Sequence, residues 1–146
     1  MMNTFMKIAA VAVLLTMITG CCNCRAFQKK NRMPLVGTEW QLIQLGEQNI
    51  TPEADKFNIT LGADGRISGV GACNRLMGTY TTGEKNALKI GPLASTMMAC
   101  PGLDREREFM QVVESATRYD MDGATLLLLE GDLLKAVFQA KAQETK

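Results

Sequence analysis

Phe57-Asn58-Ile59-Thr60-Leu61-Gly62-Ala63-Asp64-Gly65-Arg66-Ile67 decides the fold class. Phe57, Ile59 and Leu61 alternate with polar residues, the period of a strand with one buried face. Asp64-Gly65 then supplies a position that tolerates positive φ before Ile67 resumes the apolar pattern, so the segment reads as a β-hairpin. The same grammar extends outward. Gly, Asn, Asp and Thr punctuate Val36 to Pro101 every few residues, with short apolar alternations such as Leu88 and Ile90 between them. Trp40 and Leu42 share one strand face and Ile43 and Leu45 the other, which implies either a bulge or a strand covered on both sides. Beyond Tyr119, Asp122-Gly123 and Gly131-Asp132 bracket Ala124 to Glu130, and Leu134, Ala136 and Phe138 alternate, predicting a closing hairpin. Leu126-Leu127-Leu128-Leu129 does not alternate and reads as a strand buried on both faces or placed centrally.

The period changes once. From Leu103, the residues Phe109, Val112, Val113 and Ala116 recur at three- and four-residue spacing behind Asp104-Arg105-Glu106-Arg107-Glu108. This predicts one α-helix over about residues 103–118, its apolar stripe laid against or across the end of the sheet. Pro101-Gly102 stops the preceding strand, and Asp104 is placed to cap the first-turn amides. Residues 35–146 therefore form one domain, mainly β with α+β character and antiparallel, long enough to bury its own core.

The amino terminus has a different character. Lys7 is the only charged side chain before Arg25, and Ile8 to Ile18 is an almost unbroken apolar run, shorter than the roughly 20 residues that cross a bilayer. Ile18-Thr19-Gly20-Cys21 resembles the lipobox of bacterial lipoproteins, which implies cleavage after Gly20, acylation of Cys21 and a lipid anchor in the bilayer. The expected organisation is a signal peptide over residues 1–20, a basic tether over residues 21–34 and the domain beyond. An outer-membrane anchor facing the periplasm is favoured over the inner membrane. Without Lys7 the 16 Lys+Arg and 15 Asp+Glu balance, so no basic face is implied and no nucleic-acid partner is expected.

With His 0 in the composition, Ser-His-Asp and Cys-His catalysis and His-ligated zinc are excluded. There is no P-loop or G-x-S-x-G elbow, and Gly69-Val70-Gly71 is followed by Asn74 where a dinucleotide-binding turn needs Gly. Asp64, Asp104, Glu106, Asp120, Asp122 and Asp132 occupy turns and the helix start, where carboxylates have structural reasons to be, so no catalytic residue is assigned. Cysteine is the remaining chemistry. Beside Cys21 stand Cys22, Cys24, Cys73 and Cys100; a Cys22–Cys24 bond would close a strained ring, whereas Cys73 and Cys100 lie at strand edges and are the favoured pair. Two buried thiols or a redox pair are the alternatives. A four-Cys zinc site would require the tether to fold back, so no metal and no cofactor are expected.

Ser68-Gly69-Val70-Gly71-Ala72-Cys73-Asn74-Arg75-Leu76-Met77-Gly78-Thr79-Tyr80 and Thr96-Met97-Met98-Ala99-Cys100, with Gly37-Thr38-Glu39-Trp40 ahead of them, resemble the META domain of HslJ-like heat-shock proteins. The likeness spans about Leu35 to Ala140. It implies a barrel-like or cracked-barrel antiparallel sheet with one helix, and an association with heat shock and envelope stress, or with motility and virulence in some parasites. It supplies no reaction. The family positions are Trp40, Gly69, Gly71, Cys73, Asn74, Gly78, Tyr80, Thr96, Met98 and Cys100, taken as structural. Ala72 stands where the family usually has Gly, and Met97 where a basic residue is common, which argues against anion binding there. The expectation is a non-enzymatic binding or stress-protective lipoprotein with an unknown protein or small-molecule ligand. An envelope enzyme using carboxylates or the Cys73/Cys100 pair, and an accessory lipoprotein for assembly of another envelope protein, are the alternatives.

Overall fold

The alternating segments form strands: β1 (Glu39–Leu45), β2 (Gln48–Asn49), β3 (Asn58–Leu61), β4 (Arg66–Val70), β5 (Arg75–Thr82), β6 (Leu88–Ile90), β7 (Ala94–Ser95), β8 (Arg118–Asp122), β9 (Thr125–Glu130) and β10 (Leu133–Ala140). A single α-helix among the described residues, α1 (Leu103–Ser115), separates β7 from β8. This computed structural model describes residues 32–141. The chain divides into units Met1–Asn31 and Arg32–Lys146. The expected signal peptide, Cys21, Cys22 and Cys24 lie outside the described residues.

The main sheet runs β6-β5-β4-β3-β1-β10-β9-β8, with β2 attached to β1 and β7 to β5. Every named strand pair is antiparallel. The two ends of the order approach each other: Ala87 bridges Arg118, and the Leu88 N–H donates to the Thr117 carbonyl at 3.0 Å. The sheet is thus a nearly closed barrel, as the family resemblance implied, and a cleft of about 510 Å³ lies between the end of β5, β6 and the C-terminal end of α1.

Inward faces of the strands supply the core. Trp40, Leu42, Ile59, Leu61, Ile67, Leu126, Leu128 and Phe138 are essentially inaccessible. The phase change read in β1 is a bulge: the pairing with β10 shifts between Leu42 and Gln44, so Ile43 is the extra residue and Leu45 returns to the core face. The Leu-rich strand β9 does alternate in burial. Leu126 and Leu128 are buried while Leu127 and Leu129 are half-buried, with β10 and β8 on either side. At the decisive hairpin Gly65 adopts φ 77°, and Asp64 Oδ1 accepts the Arg66 N–H at 3.1 Å, closing the turn that the sequence predicts.

The helix differs from expectation at both ends. Its cap is Gly102, in the left-handed region, with no side-chain capping bond. Asp104 lies inside the first turn, exposed, and pairs with Arg107 at 3.4 Å. At the other end α1 stops at Ser115, not near residue 118, because Ala116 turns extended and the Thr117 N–H is taken by the Leu129 carbonyl at 2.8 Å. Sheet pairing outcompetes another half-turn of helix. The stripe is core: Phe109 meets Phe57 edge-on at 5.6 Å and Phe138 at 6.2 Å between ring centroids, with Val113 buried behind it.

Candidate functional site

The β4–β5 turn, the segment from Pro92 to Gly102 and the first turn of α1 converge on one group, the carboxylate of Glu106. This side chain is only 4 % exposed. Its Oε2 accepts the backbone N–H of Cys73 at 3.2 Å and of Asn74 at 3.1 Å, and its Oε1 accepts Asn74 Nδ2 at 2.7 Å. Burial alone would raise the Glu106 pKa. Hydrogen bonds from the Asn74 side chain and from the backbone of Cys73, Asn74 and Ala72 outweigh burial and hold it below its ordinary value. The positive end of the helix macrodipole acts in the same direction. A buried anion is thereby satisfied by amides and not by a cation.

Gly71 makes the approach possible, since a Cβ at that position would lie within 2.6 Å of the Glu106 carboxyl carbon. The sequence groups Glu106 with the carboxylates that have structural reasons to sit at turns and the helix start; its role is structural, but as a buried anion. The signal was available: Glu106 precedes Phe109 by three residues and Val113 by seven, so it lies in phase with the buried stripe.

Asn74 is the hub. Its Oδ1 accepts Thr96 Oγ1 at 2.9 Å and the Met98 N–H at 2.8 Å, while its Nδ2 donates to Glu106 and to the Met98 carbonyl at 3.2 Å. Thr96 Oγ1 in turn accepts the Arg75 N–H at 3.1 Å. Every donor and acceptor site of the Asn74 amide is therefore in use. Cys73 and Cys100 are joined by a disulfide across a sequence separation of 27, tying the end of the segment to the same turn. Gly71, Cys73, Asn74, Thr96, Met98 and Cys100 are thus brought into one network.

The other family positions act elsewhere. Trp40 is fully buried and donates through Nε1 to the Leu35 carbonyl at 3.0 Å. Tyr80 closes the opposite end of its strand, its hydroxyl donating to the Gly62 carbonyl at 2.7 Å. At Gly69 a Cβ would overlap the Asn58 carbonyl oxygen, and at Gly78 one would press on Leu93 as the segment crosses β5. These glycines permit close backbone approach.

A cavity of about 370 Å³ opens beside the network, lined among others by Thr96, Met97, Met98, Leu103, Glu106 and Met110. No group of three or more His, Cys, Asp or Glu that could hold a metal ion occurs among the described residues. Exposed carboxylates pair with nearby cations, Asp64 with Arg66 at 3.7 Å and Asp132 with Arg118 at 3.1 Å.

The fold is shared with solved structures. A DUF4847 family protein from Bacteroides vulgatus is 21 % identical, with 75 % of this chain and 96 % of that one covered at a TM-score of 0.57. A protein from Burkholderia xenovorans solved by NMR is 26 % identical, with 75 % and 85 % covered at a TM-score of 0.58. Another NMR structure is 21 % identical at a TM-score of 0.55, covering 70 % of this chain and 88 % of that one. No curated protein matches the chain. The META domain matches over residues 33–143, where the Glu106 network and the barrel both lie, and the chain belongs to the META domain family.

Proposed function

We propose that the chain is a lipid-anchored protein of the bacterial envelope whose META domain is a non-enzymatic binding or stress-protective module. The observation that carries the reading is that the family positions around Glu106 spend their polar atoms on one another. Asn74 has no free hydrogen-bonding site, both oxygens of Glu106 are engaged, and Cys73 is bonded to Cys100. Such a network braces a surface; it does not offer a nucleophile or a general base. The lipobox-like Ile18-Thr19-Gly20-Cys21 supports the anchor.

Two measurements test this. Mass spectrometry of the chain isolated from its own membranes should find a mature terminus at Cys21 carrying acyl mass; an unacylated terminus refutes the anchor. Assays of envelope extracts should show no turnover that depends on Glu106, Cys73 or Cys100. A substrate whose conversion is lost in Glu106→Gln, while the fold survives, overturns the non-enzymatic reading.

A further inference from the structure

Among the described residues, three of the large hydrophobic side chains left exposed are methionines, Met77, Met97 and Met98, with Met97 98 % and Met98 57 % exposed. The segment presenting Met97 and Met98 is not loose. It is tied at Thr96 and Met98 by Asn74, at Thr96 again by its N–H to the Arg75 carbonyl at 3.1 Å, and at Cys100 by the disulfide. Met110, on α1, is among the residues lining the same cavity as Met97 and Met98. Three methionines, two on the tied segment and one on α1, are therefore among the residues lining one space of about 370 Å³.

Thioether sulfur is a soft donor without a proton to lose, and soft donors select Cu(I) over the harder divalent ions. The charged residues lining the cavity are Glu106 and Arg107, whose charges cancel. Glu106 has both oxygens committed to N–H groups, and Arg107 pairs with Asp104. Among the described residues lining the cavity, no free carboxylate is left to attract a hard divalent cation. We propose that Met97, Met98 and Met110 form a binding site for a soft monovalent metal ion, Cu(I) or its analogue Ag(I). The site gives the binding reading one ligand class, and its loss would leave that reading to be judged on its own tests.

The test uses the full chain in detergent, with Cys21→Ser, Cys22→Ser and Cys24→Ser to remove competing thiols and the Cys73–Cys100 bond kept oxidised. Methionine ε-methyl NMR signals are followed during titration with Ag(I), and Cu(I) affinity is read by competition with a chromogenic chelator under anaerobic conditions. The signals of Met97, Met98 and Met110 should move together and saturate at one equivalent, while Met77 and Met121 stay in place. Each Met→Leu change at the three positions should weaken Cu(I) binding at least about tenfold. Met97→Leu and Met98→Leu should leave the urea midpoint unchanged, because both side chains are exposed. The proposal is overturned if the three signals do not move by one equivalent, if Met77 moves with them, or if the triple Leu variant binds Cu(I) as tightly as the parent.

Discussion

Glu106→Gln keeps the size of the side chain and exchanges one acceptor oxygen for a donor. In the native network the carboxylate accepts Cys73 N–H at 3.2 Å, Asn74 N–H at 3.1 Å and Asn74 Nδ2 at 2.7 Å. If the glutamine oxygen faces the two backbone amides, its nitrogen meets Asn74 Nδ2, donor against donor. If it faces Asn74, its nitrogen meets the backbone amides. Asn74 cannot relieve the conflict by turning over, because its oxygen already holds Thr96 Oγ1 and the Met98 N–H. Losing one charge-assisted bond costs about 1.5–3 kcal/mol and stranding a buried donor about 1–3 kcal/mol, so the expected destabilisation is about 2.5–6 kcal/mol. Urea unfolding at neutral pH without reductant reads this directly. Because the folded Glu106 pKa lies below its ordinary value of 4.5, its contribution is complete above that range and disappears as pH falls through the folded value. The gap between parent and Glu106→Gln should therefore narrow in acid. A gap under about 1 kcal/mol at neutral pH would refute the charge-assisted network, as would a gap that stays constant into acid.

Other perturbations probe separate parts of the barrel. Replacing both Cys73 and Cys100 by Ser should cost about 3–4 kcal/mol through the freed unfolded chain, and reductant should lower the urea midpoint of the parent but not of the double variant. Gly69→Ala should be among the most damaging substitutions, losing more than about 3 kcal/mol, since its methyl would overlap the Asn58 carbonyl and part β3 from β4; hydrogen exchange of those strands would report it. Tyr80→Phe should cost about 1 kcal/mol, the net worth of its bond to the Gly62 carbonyl. In the parent, spectrophotometric titration should find the Tyr80 hydroxyl ionising above the ordinary value of 10.0, raised by burial and then by the charge of Asp64.

Local chemistry made much of this protein legible from its residues. Period-two alternation in Phe57 to Leu61 and Asp64-Gly65 at the turn act over a few positions, so the hairpin needed no knowledge of the rest of the chain. The helix announced itself by the same means, and the Cys73–Cys100 pairing followed from positions at strand edges. Burial of a charge is a different kind of fact. Its phase with Phe109 and Val113 sets Glu106 apart from Asp104 and Glu108, but what satisfies its charge is decided only when tertiary packing brings a backbone turn 32 residues earlier within hydrogen-bonding distance. The helix end was likewise decided across the fold, by the Leu129 carbonyl competing for the Thr117 amide. So was the barrel seam, where β6 and β8, far apart in sequence, meet through single contacts at Ala87 and Leu88. Sequence determined the repeating elements because backbone sterics and side-chain periodicity are local; tertiary structure decided which polar groups were buried and what satisfied them, because desolvation depends on everything that packs around a group.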